Sequence, residues 1–562
     1  MKKFVSCLLA LALFMSLALT ASADIARTVE PFEGEAPTIT WGFNASSRYE
    51  PESLTWPSGI FEAVRKSMNV DLQFVNNGDA QQVQVMLAGG DLPDITAVDK
   101  LHLSQVLQAG LMVAMDDYLE YAPNLVSLSP IREAVMREYN SMGDGKWYFW
   151  TPQVGPAVKD PRQWNGYTTR WDYYKEMGTP EITGMDGYID YIQAAVEAYP
   201  QTADGKKVWG YGLWNDLWAY YIPGSVYNGG YTNITEQYHL NYVDSSVVNA
   251  FVDDNGPIWP SIEFCFKLNQ LGLFDPDSFT MTGDDYRAKV ADEQYISIAC
   301  QWYDSLYDVK KLEDPDTLAG YVVLPVEGNA LWSGSIEYVG WNFYYGITTS
   351  CADPIIAMRL FDFFNSPEGA RLMFSGEQGS MWDYDENGNP SILPDVVEKR
   401  NTMTNDEWDL FGGNIWDGAI GIAAGTVLED GGIARLFYSR DMLKQTLRGL
   451  DKDFAAFYGV ELPHDVSDTM VAEGKATDQS VYMRALVGLL GTPPTEITRV
   501  DNNVTEIFKR TLPDLVLAAD QAAFDAVKAD LLKELYDSGI QESMDWWFDQ
   551  ADQGRAFIEA NS

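Results

Sequence analysis

The sequence contains few cysteines. Only four occur in 562 residues, and Cys7 lies in the N-terminal leader, which leaves Cys265, Cys300 and Cys351 in the mature chain. An odd number of widely spaced cysteines excludes a disulfide framework and allows at most one bridge. We therefore expect free, buried thiols.

Histidine is equally scarce. His102, His239 and His464 lie far apart, and none of them is flanked by paired cysteines. This spacing does not match any zinc-ligand pattern. We therefore expect no metal centre, no metal-dependent catalysis and no cofactor.

Basic residues are outnumbered by acidic ones. The chain has 38 Lys and Arg against 82 Asp and Glu, a formal net charge of −44, and Lys2 and Lys3 belong to the leader. So acidic a surface repels nucleic acid and anionic membranes, so neither is expected as a partner. The simplest role of this acidity is solubility.

The only long apolar run is at the N-terminus. Lys2 and Lys3 precede about 16 apolar-leaning residues, fewer than the roughly 20 that span a bilayer, and Ala21-Ser22-Ala23 follows as a small-x-small cleavage site. A lipoprotein signal would place Cys after this run, whereas Cys7 lies at its start. Residues 1–23 are therefore predicted to be a signal peptide, with the mature chain beginning outside the cytoplasm near Asp24.

The mature chain is too long for one core, since about 540 residues suit two or three folding units. Its first part alternates between strand and helix periodicity. This β-α-β-α-β pattern predicts a parallel sheet with right-handed crossovers. The apolar positions are Ile39, Trp41 and Phe43 in a strand, Phe61, Val64 and Met68 in a helix, and Val70, Leu72 and Phe74 in a strand.

A helix running from about residue 79 is predicted to end at Gly89 and Gly90, which tolerate the left-handed conformation of a helix C-cap. Pro93 then favours an extended approach to Asp94. We expect Asp94 and Asp99 at or beyond the C-terminal edge of the sheet, where open α/β folds bind ligands. An ordinary helix-to-strand connection is the alternative.

The same stretch carries a resemblance to a known family. Residues 87–95, LAGGDLPDI, resemble the ASGDLPDI signature of extracellular solute-binding proteins of ABC importers, of the sugar type called family 1. Further segments resemble the family in the same order along nearly the whole mature chain. They are DGKWY (144–148), GYTTRWDYYKEMG (166–178), YGLWNDLWAYYIPGSVYNGG (211–230), ISIACQW (296–302), NSPEG (365–369) and YDENGNP (384–390).

The resemblance implies an α/β, two-lobed, type II periplasmic-binding-protein-like fold with a ligand cleft between the lobes. The first hinge is placed near 163–168. The predicted divisions are a signal peptide (1–23), a linker (24–37), the first part of lobe I (38–165), lobe II (166–340), the return to lobe I (341–412) and a helical C-terminal region packing on both lobes (413–562).

A sugar receptor needs aromatic platforms for flat C–H faces and planar hydrogen-bonding groups for hydroxyls. Eighteen Trp and 31 Tyr suit this need, although most of them are expected in the core. Trp302 ranks first, because it ends an apolar stretch and precedes Asp304-Ser305, which can cap a helix. The other candidate ligand-binding residues are Trp164, Trp214, Trp218, Trp341, Asp94, Asp99 and Asp216, with Trp382 and Trp416 as further aromatic candidates. For the carboxylates, simple solvation is an equal alternative.

Many members of this family carry a calcium-binding D-x-(N/D)-x-(N/D)-G run before the YG segment. Residues 199–206 occupy that place here and contain too few carboxylates, so the metal is not carried over. The spacing of residues 383–388 also hints at a calcium loop, but a tight Asn-Gly turn is the preferred interpretation.

The expected function is non-catalytic capture of a neutral oligosaccharide and its delivery to an ABC permease by a monomeric receptor. The alternative is a secreted glycoside hydrolase, which needs two carboxylates about 5–10 Å apart. No pattern among the 82 acidic residues singles out such a pair. A purely adhesive protein fits poorly, because the sequence has no internal repeats.

Overall fold

The structure is a computed structural model, and the residues that it describes are 24–43, 59–76, 85–86, 89–90, 92–98, 102–156, 162, 166–227, 230–241, 246–328, 330–331, 336–337, 339–340, 344–404, 407–408, 411, 420–478, 486, 489–491 and 493–561. The strands are β1 Thr38–Phe43, β2 Asp71–Asn76, β3 Ile95–Val98, β4 Phe149–Trp150, β5 Gly155–Pro156, β6 Tyr167–Arg170, β7 Tyr231–Asn233, β8 Tyr238–Asn241, β9 Val247–Asn249, β10 Tyr321–Leu324, β11 Ala330–Leu331, β12 Ile336–Glu337, β13 Tyr344–Ile347, β14 Trp382–Tyr384, β15 Pro390–Ile392 and β16 Thr477–Asp478.

Helices outnumber strands in this part of the chain. The α-helices are α1 Gly59–Met68, α2 Leu103–Gln108, α3 Pro123–Leu128, α4 Pro130–Tyr139, α5 Trp171–Glu176, α6 Gly184–Ala198, α7 Leu217–Tyr227, α8 Ile258–Gln270, α9 Gly283–Ala291, α10 Ser305–Glu313, α11 Pro354–Phe364, α12 Pro367–Ser375, α13 Pro394–Thr402, α14 Arg440–Thr446, α15 Gly449–Tyr458, α16 Asp465–Ala472, α17 Thr495–Val516, α18 Gln521–Asp537 and α19 Ile540–Asn561. Short 3₁₀ helices span Met115–Tyr121, Pro276–Phe279, Gln301–Tyr303 and Leu436–Tyr438. None of the described helices is both long and apolar enough to cross a membrane.

Two large hydrophobic cores define two lobes. The core of the first lobe draws mainly on residues 29–150 and 339–374. The core of the second lobe draws mainly on residues 167–326. The chain thus passes from the first core to the second after β4 and returns before β13, as the two-lobed prediction requires.

The first lobe is organised around a mixed five-stranded sheet with the order β2-β1-β3-β13-β4. Strand β1 is parallel to β2 and β3, with Trp41 opposite Phe74 on one side and Ile95 on the other. Strand β13 is antiparallel to both of its neighbours. The parallel arrangement predicted for the first three strands is confirmed, and β13, which arrives from the second lobe, makes the sheet mixed.

Two helices of the first lobe, α4 and α11, begin at side chains that accept backbone hydrogen bonds. Ser129 Oγ accepts from the backbone N of Arg132 at 3.1 Å, and Asp353 Oδ1 accepts from that of Ile355 at 3.1 Å. Each cap satisfies a backbone donor that the first helical turn leaves without a partner.

Two short crossing strands pair with each other between the lobes. Strand β5 lies on the way to the second lobe and β12 on the way back, and they are antiparallel, with Gly155 opposite Glu337. Part of the predicted hinge at 163–168 lies outside the described residues. The paired crossings are the elements that a hinge motion would bend.

The second lobe contains the antiparallel pair β6 and β10 and an irregular extended segment beside it. Ile296 accepts a backbone hydrogen bond from Arg170, and Ile298 donates one to Thr168. Ile296 also donates to Trp209. The segment predicted as a strand at 296–302 is therefore extended at its start, but it pairs only through isolated bridges.

The C-terminal helices α17, α18 and α19 pack mainly on the second lobe. Phe524, Leu531 and Leu535 of α18 are buried, and Val527 is half-buried beside them, so these residues form the apolar face of the helix. Phe524 meets Phe266 of α8 at 4.9 Å between ring centroids. Residues 420–434, by contrast, contribute to the first core.

A buried ion pair ties that part of the chain to the first lobe. Arg371 of α12 donates from Nη1 and Nη2 to the two carboxylate oxygens of Asp430 at 2.8 and 2.9 Å. The side chains are 2% and 0% exposed, so both charges are removed from water. Such a pair is costly to break, because either partner alone would be a buried, uncompensated charge.

The predicted linker at 24–37 contains no helix or strand, but it packs on the first lobe. Val29 and Phe32 are buried in the first core. The backbone N of Thr28 donates to Glu368 Oε1 at 2.7 Å. Residues 28–32 are therefore held on the first lobe.

The cysteines of the mature chain are free thiols. Cys265 and Cys300 are buried in the second core, and Cys351 is half-buried beside the first. Burial raises the pKa of the Cys351 thiol to about 11, so it is protonated at neutral pH.

Candidate functional site

Five aromatic side chains meet in the second lobe, and we call them the aromatic cluster. Trp218 lies 5.9 Å from Trp214 and 5.7 Å from Trp302 between ring centroids. Trp214 lies 4.5 Å from Tyr303 and 5.3 Å from Tyr286. The cluster thus joins three segments that are distant in sequence.

The first segment is the loop before α7. Asp216 Oδ1 accepts a hydrogen bond from the backbone N of Trp218 at 2.9 Å, which places Asp216 at the start of the helix in the manner of an N-cap. The neighbouring Asn215 donates its backbone N to Met281 O at 2.9 Å. These bonds fix the loop between Trp214 and Trp218.

The second segment is the short 3₁₀ helix Gln301–Tyr303, which begins directly after the buried Cys300. Asp304 follows it, and its Oδ1 accepts from the backbone N of Tyr307 at 2.9 Å, capping α10 as predicted. Trp302 therefore lies between a buried extended segment and a helix start, and its side chain is half-buried.

The third segment is α9, and sequence reasoning missed its contribution. Tyr286 is fully buried, and its hydroxyl accepts a hydrogen bond from the backbone N of Ala299 at 3.3 Å. A lone tyrosine in a helix is typical of a core residue, so nothing in the sequence distinguished it. Tyr303 was also missed, although it directly follows Trp302.

Burial divides the cluster into a core side and an accessible side. Trp214 is 5% exposed and Tyr286 is 0% exposed, whereas Trp218, Trp302 and Tyr303 are half-buried. Burial also raises the pKa of the Tyr303 hydroxyl to about 12, so this residue is neutral at physiological pH. The accessible side thus presents aromatic surface supported from behind by fixed rings.

Charged groups border the accessible side. The guanidinium carbon of Arg287 lies 4.8 Å from the centroid of the Tyr303 ring. Asp216 is exposed near the same tyrosine, and its charge helps to raise the Tyr303 pKa. The border therefore offers both hydrogen-bond donors and acceptors next to the rings.

The structure brings together four of the predicted site residues, Trp214, Trp218, Trp302 and Asp216. Trp382 is not among them. It is 4% exposed in a separate hydrophobic cluster with Trp408, so it is a core residue. Candidates that lie outside the described residues are Asp99, Trp164, Trp341 and Trp416.

The position predicted for Asp94 is wrong. The helix before it does end at Gly90, which has φ +68° and donates to Met86 O at 2.9 Å. Asp94, however, precedes β3 and so lies at the N-terminal end of that strand. Its Oδ2 accepts from the backbone N and the hydroxyl of Thr40 at 2.7 and 2.6 Å. The chain enters the sheet at Ile95, directly after Pro93 and Asp94, and the Asp94 side chain links the start of β3 to Thr40 of β1.

The loop that corresponds to the calcium run of the resembled family does not fit a calcium ion. Lys206 Nζ lies 3.2 Å from Asp204 Oδ2 and 2.9 Å from Asp292 Oδ2. Both carboxylates are therefore already paired with an ammonium group. Calcium requires six to eight oxygen ligands. The described residues contain no group of three or more His, Cys, Asp or Glu that could hold a metal.

No protein-family model matches the chain. No curated protein matches it at a significant level either. Solved structures, by contrast, match over nearly the full length of both chains. The alginate-binding protein AlgQ2, in a structure without calcium ion, has 15% identity and a TM-score of 0.63 over 94% of this chain and 100% of that one.

Two further matches are of the same kind. The S. pneumoniae ABC-transporter substrate-binding protein FusA, in complex with kestose, has 16% identity and a TM-score of 0.61 over 93% of this chain and all of that one. An HMO-binding, ABC-transporter-associated solute-binding protein from Bifidobacterium longum infantis has 13% identity and a TM-score of 0.58 over 92% and 99% of the two chains. The chain has the two-lobed fold of extracellular solute-binding proteins of ABC transporters.

Proposed function

We propose that the protein is an extracytoplasmic receptor that captures a neutral oligosaccharide and delivers it to an ABC permease. The observation that carries this proposal is the aromatic cluster, with Trp218, Trp302 and Tyr303 half-buried on rings that are fully packed. A flat aromatic surface that is rigid and partly accessible suits the C–H faces of a sugar ring.

A neutral ligand is favoured by the charges of the second lobe. Arg170 at the end of β6 is already paired with Asp172 and Glu293. The formal charge of −44 also opposes the approach of an anionic ligand. Arg287 and Asp216 then serve as a donor and an acceptor for hydroxyl groups.

The solved structures of similar fold support a saccharide as the ligand class. The three proteins described above bind alginate, kestose and HMO, respectively. The predicted signal peptide at 1–23 places this chain outside the cytoplasm after cleavage near Ala23. A permease is then the partner that a non-catalytic receptor needs, and the receptor is proposed to act as a monomer without nucleic-acid or membrane partners.

The alternative is a secreted enzyme that acts on glycosides. It would need two carboxylates in catalytic roles. Near the cluster, Asp216 accepts from a backbone N of α7, and Asp304 is buried and paired with Arg162. Both carboxylates therefore have structural partners, which favours the receptor.

A thermal-shift screen tests the proposal. The panel contains neutral oligosaccharides, including kestose, maltotriose and cellotriose, and a uronate trisaccharide as the anionic arm. A sugar at a hundred times its Kd stabilises the folded protein by about 2.7 kcal/mol. Stabilisation by a neutral member supports the proposal, and stabilisation by the uronate alone contradicts neutrality. New reducing ends released from a stabilising sugar would identify an enzyme.

A further inference from the structure

The turn that carries Trp302 is fixed to β10 on both sides. Gln301 Nε2 donates to the backbone O of Tyr321 at 2.7 Å. Asp304 Oδ2 accepts from the backbone N of the same Tyr321 at 2.9 Å. Gln301 and Asp304, which flank Trp302 and Tyr303, therefore both bind the backbone of Tyr321. These two bonds fix the orientation of the turn and so the direction of the Trp302 side chain.

Asp304 is an unusual anchor, because its side chain is 0% exposed. Burial raises the pKa of the Asp304 carboxyl, and the charge of Arg162 opposes that rise. Arg162 Nη1 lies 3.0 Å from Asp304 Oδ2, and no other cation among the described residues forms an ion pair with this carboxylate. Arg162 thus favours the ionised form of the anchor, together with the backbone N–H groups of Tyr307 and Tyr321 that donate to it.

Arg162 reaches Asp304 from the crossing between β5 and β6. Its guanidinium carbon lies 4.2 Å from the ring centroid of Tyr307, and that tyrosine donates its hydroxyl to Asp451 Oδ2 at 2.5 Å. The other groups that act electrostatically on Asp304 or Arg162 are the carboxylates Asp308 and Asp451 and the Tyr307 phenol. Lys311 of α10 acts on Arg162 as a second cation, with its Nζ 5.1 Å from the Tyr307 ring centroid, and it is itself paired with Asp308.

We propose that Arg162 is a positioning residue for sugar binding. By pairing with Asp304 it holds the turn Gln301–Tyr303 on β10 and so keeps Trp302 against Trp218. Its purpose rests on the proposed function, since a fixed aromatic platform matters only if a sugar stacks on it. The contact also connects the crossing segment to the aromatic cluster.

The test uses the ligand-free mature chain labelled with fluorotryptophan. Loss of one fluorine NMR signal in Trp302→Phe assigns Trp302, and that signal is followed from about pH 8 to about pH 4. In Arg162→Met we expect it to titrate with a midpoint about 1–3 pH units above that of the unchanged protein, because a nearby cation lowers a carboxyl pKa by that amount. Arg162→Lys keeps a cation and should restore most of the midpoint.

Two further variants separate positioning from general damage. Arg287→Met removes a cation beside Tyr303 without contact to Asp304, and it should leave the midpoint unchanged. Asp304→Asn should abolish the titration. An unchanged midpoint in Arg162→Met, or a titration that persists in Asp304→Asn, overturns the proposal. If Arg162→Met does not fold, Arg162→Gln, which also removes the charge, is measured in its place, and an unchanged midpoint in that variant overturns the proposal.

The outcome is independent of the sugar screen. A shifted midpoint with no bound sugar from the panel would show that Arg162 holds the turn, but it would reject the proposed function and with it a role of Arg162 in sugar binding. Sugar binding with an unshifted midpoint would support the proposed function and reject the role of Arg162. The two proposals can therefore fail separately.

Discussion

Trp302 and Trp218 lie 5.7 Å apart, ring centroid to ring centroid, with both side chains half-buried. One of them comes from a 3₁₀ turn and the other from the first turn of α7. Trp214 and Tyr286 lie behind them and are almost completely buried. The same cluster thus contains residues suited to ligand contact and residues suited to support, and substitutions should separate the two.

Trp302→Ala should weaken sugar binding by roughly 1–3 kcal/mol, about a five- to 150-fold rise in Kd, because it removes an accessible stacking face. The Tm of the ligand-free protein should change little, since the side chain is only half-buried. Titration calorimetry with the stabilising sugar and a melting curve measure the two effects.

Trp214→Ala is the matched comparison. Its side chain is 5% exposed, and truncating a buried tryptophan typically costs about 3–5 kcal/mol of folding free energy. A large fall in Tm is therefore expected for this variant. If Trp302→Ala lost stability and kept its sugar affinity, Trp302 would be a core residue and not a binding residue.

Two substitutions separate the helix cap of Asp216 from its negative charge. Asp216→Asn keeps an oxygen that accepts from Trp218 N, whereas Asp216→Ala removes the cap and should cost about 0.5–2 kcal/mol of stability. Chemical denaturation measures this difference. A loss of sugar affinity in Asp216→Asn with unchanged stability would show that the carboxylate contacts the ligand. Unchanged affinity would show that Asp216 only caps α7.

Local pattern predicted much of the first lobe. Phe61, Val64 and Met68 form the buried face of α1, and the alternation of Ile39 and Trp41 gives β1. These features depend on residues a few positions apart. The antiparallel direction of β13 depends on where the chain returns from the second lobe, so no local pattern contained it.

The site was predicted unevenly for a similar reason. Trp302 stood out because it ends an apolar stretch before a helix cap, and Trp218 because it lies in the aromatic segment 211–230 that resembles the family. The structure places them together. Tyr286 could not be distinguished from a core tyrosine, because its contact with Trp214 arises from packing between distant segments. Asp94 was misplaced because β3 is only four residues long, so a small error in its position exchanges its two ends.

Sugar binding should close the two lobes around the paired strands β5 and β12. Small-angle scattering with and without the stabilising sugar measures this as a decrease in the radius of gyration. An equal radius at proven saturation would argue against a hinge motion. The control is Trp302→Ala at a sugar concentration that saturates only the unchanged protein. The solvent is then the same but the mutant is mostly unliganded, so its radius should not decrease.

The Arg371–Asp430 pair should contribute strongly to stability. Asp430→Asn leaves the Arg371 guanidinium buried without its counter-charge, and breaking such a pair costs about 3–5 kcal/mol. Lys399→Met, which removes an exposed i,i+4 pair with Asp395, is the control and should cost less than about 1 kcal/mol. Urea denaturation compares them, and similar costs for both would contradict the importance of the buried pair.

Calcium should leave the protein unchanged. The loop at 199–206 has only Asp204 as a carboxylate, and Lys206 lies between that residue and Asp292. A divalent cation would have to displace the ammonium group and would then find too few oxygen ligands. We therefore expect the same Tm in millimolar calcium and in excess chelator, and the same sugar affinity.

Magnesium at equal concentration controls for ionic strength. A calcium-specific rise in Tm would show a metal site, and Lys206→Gln would then locate it, since removing the ammonium group should strengthen binding only if calcium enters this loop.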